Sequence, residues 1–164
     1  MARGYRLLSC LIAVGSLAAY PVAASETCLK DSEKIAFDVR AAQTEMMIAA
    51  LQCGDREPYN VFMRLHATEL YAAHARLADY FRRSSGGNGE EALDAFITEL
   101  ANSQSIAGAQ EGERFCPHLH VFVQRMINLR DMREVSKLNT EMQVVNPYTP
   151  MTCGTRRDMG EQLR

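Results

Sequence analysis

The chain has 164 residues, with 20 acidic and 18 basic side chains and a formal net charge of −2. Such a balanced, slightly acidic composition lacks the clustered basic surface of a nucleic-acid-binding protein. It also lacks the basic amphipathic face of a helix that lies on a membrane surface. We therefore expect neither nucleic acid nor a membrane surface as a partner.

The first 24 residues have the layout of a secretory signal peptide. Arg3 and Arg6 precede an uncharged apolar run that Pro21 ends, and residues 22–24 are small, as signal peptidases require. The run is shorter than the roughly 20 apolar residues of a membrane span, so a retained anchor is the weaker alternative. Cleavage near Ala24 leaves 140 residues with 16 basic and 20 acidic side chains. We expect one compact domain, periplasmic or secreted, without a membrane span.

Helical periodicity dominates the remaining chain, and its first helix is predicted over residues 32–53. Asp31 or Ser32 can cap the start of this helix, and Gly54 follows its end, where a left-handed residue is favoured. Its apolar residues recur at alternating steps of four and three: Ile35, Val39, Ala42, Met46 and Ala49.

A second helix is predicted over residues 59–83. It follows a polar turn at 55–58, and the glycine- and serine-rich stretch 84–89 ends it. Its stripe, which contains one histidine, consists of Phe62, His66, Leu70, Ala73, Leu77 and Phe81. The length of this stripe predicts one continuous helix.

A third helix begins at Glu90 and a fourth with the FCPHLHVF stretch at 115–122. The end of the third helix is blurred, because residues 101–112 are rich in serine, glutamine, alanine and glycine. That composition predicts fraying or a mobile connection. Pro117 suits the first turn of the fourth helix, where its missing N–H costs nothing.

A fifth helix begins near Asp131, which together with Glu134 resembles a capping box. We therefore expect an all-α fold, a small bundle of four to five helices over residues 25–146. Residues 147–164, rich in turn-forming residues at their start, predict an extended C-terminal tail.

Four cysteines remain after cleavage, and in an oxidising compartment two disulfides are expected. Cys28 and Cys53 flank a helix of about 20 residues, so they lie roughly 30 Å apart, too far for a bond. Antiparallel packing of successive helices brings Cys53 to the end of the bundle at which Cys116 begins the fourth helix. We predict the pairs Cys53–Cys116 and Cys28–Cys153, the second of which tethers the tail.

The cysteine and two histidines within FCPHLHVF raise the question of a metal site. His118 and His120 are two residues apart and point about 200° from each other on a helix, so one ion does not readily take both. His66 and His74 lie eight residues apart along one side of the second helix. We favour no metal and structural roles for these histidines. The alternative is a metal- or small-ligand-binding protein that uses His66, His74 and His118.

No sequence motif indicates an enzyme. The chain has no CxxC redox pair, no CxxCH haem site, no GxSxG elbow and no complete phosphate-binding loop. We therefore predict no cofactor and assign no catalytic residue. An enzyme built from residues distant in sequence is the least favoured alternative.

Three tyrosines of the second helix region, Tyr59, Tyr71 and Tyr80, suit a partly wet docking face. Ordinary packing at the edge of the core is the simpler explanation for them. The sequence therefore leaves any interaction residues unassigned.

The chain as a whole resembles small exported bacterial helical proteins with four cysteines and unknown function. The resemblance rests on the exported leader, on LQCGDREPYNVF between two helices, on RFC at the start of a later helix and on the cysteine in the tail. It implies a periplasmic location. We expect a non-enzymatic interaction or accessory protein with a protein partner in the cell envelope.

Overall fold

The computed structural model describes residues 28–153. Its α-helices are α1 (Asp31–Gln52), α2 (Arg56–Leu65), α3 (Ala67–Ser84), α4 (Gly89–Glu111), α5 (Phe115–Ile127) and α6 (Val135–Glu141), with 3-10 turns at Gly86–Asn88, Gly112–Arg114 and Met132–Glu134. Within this part of the chain, the one β-bridge joins Leu29 to Thr152. The predicted all-α fold is confirmed. The predicted signal peptide and the end of the predicted tail, 154–164, lie outside the described residues.

Helix α1 is the centre of the bundle. It contacts each of the other five helices, and its buried apolar residues lie on all sides: Ala36, Phe37, Val39, Ala41, Ala42, Met46, Ile48, Ala49 and Ala50. Most residues from Glu33 to Ala50 are buried, although Lys34 is exposed and Asp38 is half-buried. A helix buried over most of its surface belongs in the interior of a fold. The alanines let neighbouring backbones approach closely, so one helix can be surrounded by five others.

The predicted second helix is divided in two, and it begins earlier than expected. Pro58 lies in the first turn of α2, where a proline is tolerated. At His66 the backbone leaves helical geometry (φ −113°, ψ 22°). The break lets α2 pack against α5 while α3 packs against α4. The prediction of one continuous helix was therefore wrong, because its two halves pack against different helices.

Helix α4 is longer than the composition of its second half predicts. It runs without interruption to Glu111, through the stretch in which we expected fraying. Gln104, which is only 1 % exposed, donates hydrogen bonds to the backbone carbonyls of Ala41 (3.0 Å) and Val145 (2.9 Å). Gly108 leaves room for the ring of Phe115. Contacts distant in sequence thus hold a segment whose composition favours a loop.

The first turn of α1 is capped differently from the prediction. The capping position is Lys30, not Asp31 or Ser32. Its backbone N–H donates to the carboxylate of Glu33 at 3.0 Å. The same buried carboxylate also pairs with the guanidinium of Arg83, which joins the start of α1 to the end of α3.

The two disulfides join the same cysteines that the sequence favoured. Cys53 pairs with Cys116 across 5.6 Å between Cα atoms, which links the end of α1 to the start of α5. Cys28 pairs with Cys153 across 4.8 Å. Beside this second bond, Leu29 accepts a backbone hydrogen bond from Cys153 (2.8 Å) and donates one to the carbonyl of Met151 (2.9 Å).

An aromatic cluster fixes the described part of the C-terminal tail. The ring of Tyr148 stacks on that of Phe37, with 5.0 Å between the centroids and 16° between the planes. Its hydroxyl lies 3.2 Å from that of Tyr80. Phe81 and Phe96 complete the cluster. The tail is therefore held at two points, by the packing of Tyr148 and by the Cys28–Cys153 disulfide.

The backbones of α3 and α4 lie close together at Gly89, and this packing gives a stability prediction. A Cβ atom there would lie 2.6 Å from the Cα of Arg82. Backbone cannot yield easily, so Gly89→Ala is expected to destabilise the protein by about 1–3 kcal/mol, although alanine is the better helix former. Urea denaturation measures the effect. At Gly87 an added Cβ meets no atom within 4 Å, so Gly87→Ala should change stability by less than about 0.5 kcal/mol. Equal effects of the two substitutions would contradict the packing.

Candidate functional site

A groove of about 450 Å³ lies between α1 and α3, with the segment that joins α5 to α6 as its third wall. We call it the α1–α3 groove. Its apolar lining is formed by Ile35, Ala36, Val39, Ala72, Ala73 and Met132. Small side chains at facing positions of the two helices leave this space open. The lining therefore offers apolar surface that other side chains can cover.

Charged side chains edge this apolar surface. Arg133 makes hydrogen bonds of 2.6–3.0 Å to the carboxylate of Asp131, and these bonds lower the pKa of that carboxyl. Arg76 and Arg130 also line the groove, and neither forms an ion pair with a carboxylate of residues 28–153. Together with Glu69 the lining carries three arginines and two carboxylates, a small positive excess in an otherwise acidic chain.

The chemistry of this lining is suited to binding. A guanidinium presents a planar set of donors that matches the two oxygens of a carboxylate, and it stays charged at all physiological pH values. Alkyl side chains beside it cover apolar groups of the same ligand. The α1–α3 groove can thus hold a molecule that is apolar on one side and anionic at one point.

Only part of this groove has a signal in the sequence. Glu69, Ala72, Ala73 and Arg76 have the spacing of one helix face. Alanines flanked by opposite charges on that face mark a surface that is neither ordinary core nor ordinary solvent-exposed helix. The third wall, at residues 130–133, is distant in sequence and has no such signal.

The three tyrosines considered as a docking face occupy different environments. Tyr80 is buried (2 % exposed) and is therefore a core residue, not an exposed docking residue. Its pKa is raised, mainly by burial and to a smaller extent by the hydrogen bond with Tyr148. Tyr59 is half-buried and packs against the core. Tyr71 is 77 % exposed and lies one helical turn after Thr68, which lines the α1–α3 groove. Only Tyr71 of the three is available to a partner.

The histidines of the alternative metal site also lie in separate environments. His66 is buried, with its ring 5.0 Å from that of Phe62 and no hydrogen-bond partner for Nε2. His74 lines a groove of about 410 Å³ between α3 and α4. The Nδ1 atom of His118 lies 3.2 Å from the carboxylate of Glu111. Among residues 28–153, no group of three or more histidine, cysteine, aspartate or glutamate side chains could hold a metal ion.

Glu45, on α1, is a buried carboxyl group that the apolar pattern of the helix does not reveal. It is 9 % exposed, and its Oε2 atom has no hydrogen-bond partner. Burial, with a smaller contribution from the negative charge of Glu111, raises the pKa of Glu45 to about 7. The helical stripe gave no warning, because a glutamate on a helix is ordinarily solvent-exposed.

The raised pKa of Glu45 predicts how stability depends on pH. Because the folded protein binds this proton more tightly than the unfolded chain, the group favours folding most at acid pH. Its contribution is lost as pH rises from about 4.5 to about 7. Glu45→Gln should remove this dependence and stabilise the protein at pH 8 by about 3 kcal/mol.

Urea denaturation of both proteins between pH 4 and pH 8 measures the effect. Glu99→Gln, at an exposed position of α4, is the matched control and should leave the slope unchanged. An unchanged slope in Glu45→Gln would show that another group titrates.

Comparisons with known proteins supply no function for this chain. No family model matches it, and no curated protein or solved structure matches it. The two disulfides indicate an oxidising compartment. Within residues 28–153, no helix is long and apolar enough to span a lipid bilayer.

Proposed function

We propose that the protein is exported through a signal peptide cleaved near Ala24 and acts, without catalysis, as an interaction or accessory protein in the cell envelope. The leader pattern of residues 1–24 and the two disulfides support export. Docking takes place in the α1–α3 groove, and the occupant is a segment of another envelope protein.

One observation carries this proposal: two arginines without carboxylate partners, Arg76 and Arg130, edge an apolar surface. Charge complementarity then defines the partner segment, which presents apolar side chains with a carboxylate beside them. A volume of about 450 Å³ accommodates a few such side chains and falls within the usual range of binding sites, about 300–1,000 Å³.

The charges along α3 also give the bound segment a direction. Glu69 and Arg76 lie on the same side of α3 and are about 10 Å apart along its axis. A partner segment with a carboxylate near one end and a basic group near the other would therefore bind in one orientation.

Binding of designed peptides tests the proposal. One synthetic helical peptide carries a leucine stripe flanked by glutamates, and a second carries lysines in place of the glutamates. The protein is purified from its native compartment, and its intact mass should show that residues 1–24 have been removed. The acidic peptide, when added to this protein, should shift the NMR amide signals of Ile35, Ala72 and Arg130. The double variant Arg76→Glu, Arg130→Glu should weaken this binding at least tenfold, because it reverses both charges.

The double variant Arg56→Glu, Arg114→Glu is the matched control, since it makes the same charge change at two exposed positions away from the groove. It should leave the affinity for the acidic peptide unchanged. Equal binding of the two peptides, or signal changes confined to another surface, would overturn the proposed docking site. Retention of residues 1–24 in the purified protein would overturn export with cleavage.

A further inference from the structure

The Cys53–Cys116 disulfide lines another surface groove, of about 210 Å³. Both cysteines are half-buried, so the bond is reached from this groove. The apolar part of the lining consists of Ala49, Leu119 and Val123, and its two ionisable residues are Asp55 and His120. A disulfide in such a groove is accessible to a thiol of another protein.

The two sulfur atoms of this bond are not equivalent. Cys53 caps the C-terminus of α1, whereas Cys116 is the second residue of α5, a helix of 13 residues. The positive end of a helix dipole stabilises a thiolate, and the negative end disfavours it. Cys116 is therefore the better leaving group when the bond is attacked, since a more stable thiolate leaves faster.

A proton carrier lies in the same groove. His120 follows Cys116 by four residues, which places the two side chains on one face of α5. His120 is exposed, and an imidazole readily accepts and returns a proton. Asp55 lines the same groove and has the opposite effect, because a nearby carboxylate disfavours a thiolate.

The other disulfide, Cys28–Cys153, is also half-buried, but it is held differently. Cys28 and Cys153 lie outside the helices. Next to this disulfide, the Leu29 N–H donates a hydrogen bond to the Met151 carbonyl (2.9 Å), and the Leu29 carbonyl accepts one from the Cys153 N–H (2.8 Å). The paired backbone holds the two cysteines together.

We propose that Cys53–Cys116 is a thiol–disulfide exchange site for a dithiol of another protein in the same compartment. His120 accepts the proton of the incoming thiol, and the resulting thiolate attacks Sγ of Cys53. The Cys53–Cys116 bond breaks, its electron pair leaves on Cys116, and His120 returns the proton there.

The second thiol of the partner completes the exchange. It attacks the partner sulfur that is bonded to Cys53, the mixed disulfide breaks, and Cys53 leaves with the electron pair and takes up the proton. The partner dithiol has then lost two electrons and become a disulfide, while Cys53 and Cys116 have become thiols. This activity goes beyond the docking function and does not depend on it.

Selective reduction of the native protein tests the exchange site, with Cys28–Cys153 as the internal control. Folded protein at pH 7 is treated with limiting dithiothreitol, quenched with N-ethylmaleimide and mapped by mass spectrometry. Cys53–Cys116 should be reduced at least tenfold faster than Cys28–Cys153, while circular dichroism shows that the helices persist. Equal rates, or reduction of Cys53–Cys116 only as fast as the protein unfolds, would overturn the proposal.

Single-thiol variants test the asymmetry. Cys53→Ser leaves the Cys116 thiol, and Cys116→Ser leaves the Cys53 thiol. Alkylation by iodoacetamide should reach half its maximal rate at a lower pH for Cys116 than for Cys53, and the reverse order would overturn the assignment of the leaving group. His120→Ala should slow reduction of Cys53–Cys116 without changing that of Cys28–Cys153; no change would remove His120 from the mechanism. If a serine variant fails to fold, the native-protein rates still decide.

Discussion

The burial of α1 between Ala36 and Ala50 is the constraint on which the rest of the structure depends. A central helix must satisfy its polar groups without water, and here each set of polar groups attaches another helix. Glu33 pairs with Arg83 of α3. The Asp38 backbone carbonyl accepts a hydrogen bond of 2.8 Å from Asn139 of α6. The Ala41 carbonyl accepts one from Gln104 of α4. Two buried atoms of α1 lack such a partner, Nε of Arg40 and Oε2 of Glu45, and burial raises the pKa of Glu45.

Both candidate sites follow from this central position. The start of α1 supplies one wall of the α1–α3 groove, through Ser32, Ile35 and Val39. Its end supplies Cys53 to the disulfide groove. The two sites thus lie toward opposite ends of one 22-residue helix. A partner docked by Arg76 and Arg130 would leave the disulfide free to react.

Local pattern and chain geometry predicted much of the fold. Stripes of apolar residues located the helices, and the length of α1 excluded Cys28–Cys53, since its two ends lie too far apart for a bond. What local pattern missed depends on contacts between distant residues. Gln104 holds the second half of α4 by bonding to Ala41 and Val145, and no residue near Gln104 in sequence signals this.

The same limit applies to the sites. Tyr80 looks like a boundary residue on its own helix, but its hydroxyl meets Tyr148, 68 residues away. The α1–α3 groove exists only because two helices and the segment 130–133 converge. By contrast, Cys116 at the start of a helix was visible in sequence; the groove beside it was not.

Native-state hydrogen exchange tests most directly the claim that α1 is the core on which the other helices pack. If it is, the amides from Phe37 to Ala50 exchange only through global unfolding, with the highest protection in the protein. Their exchange free energies should fall together with the free energy of unfolding as urea is added. Faster exchange in α1 than in α3 or α4 would contradict the account, because the helices would then form a stable bundle without it.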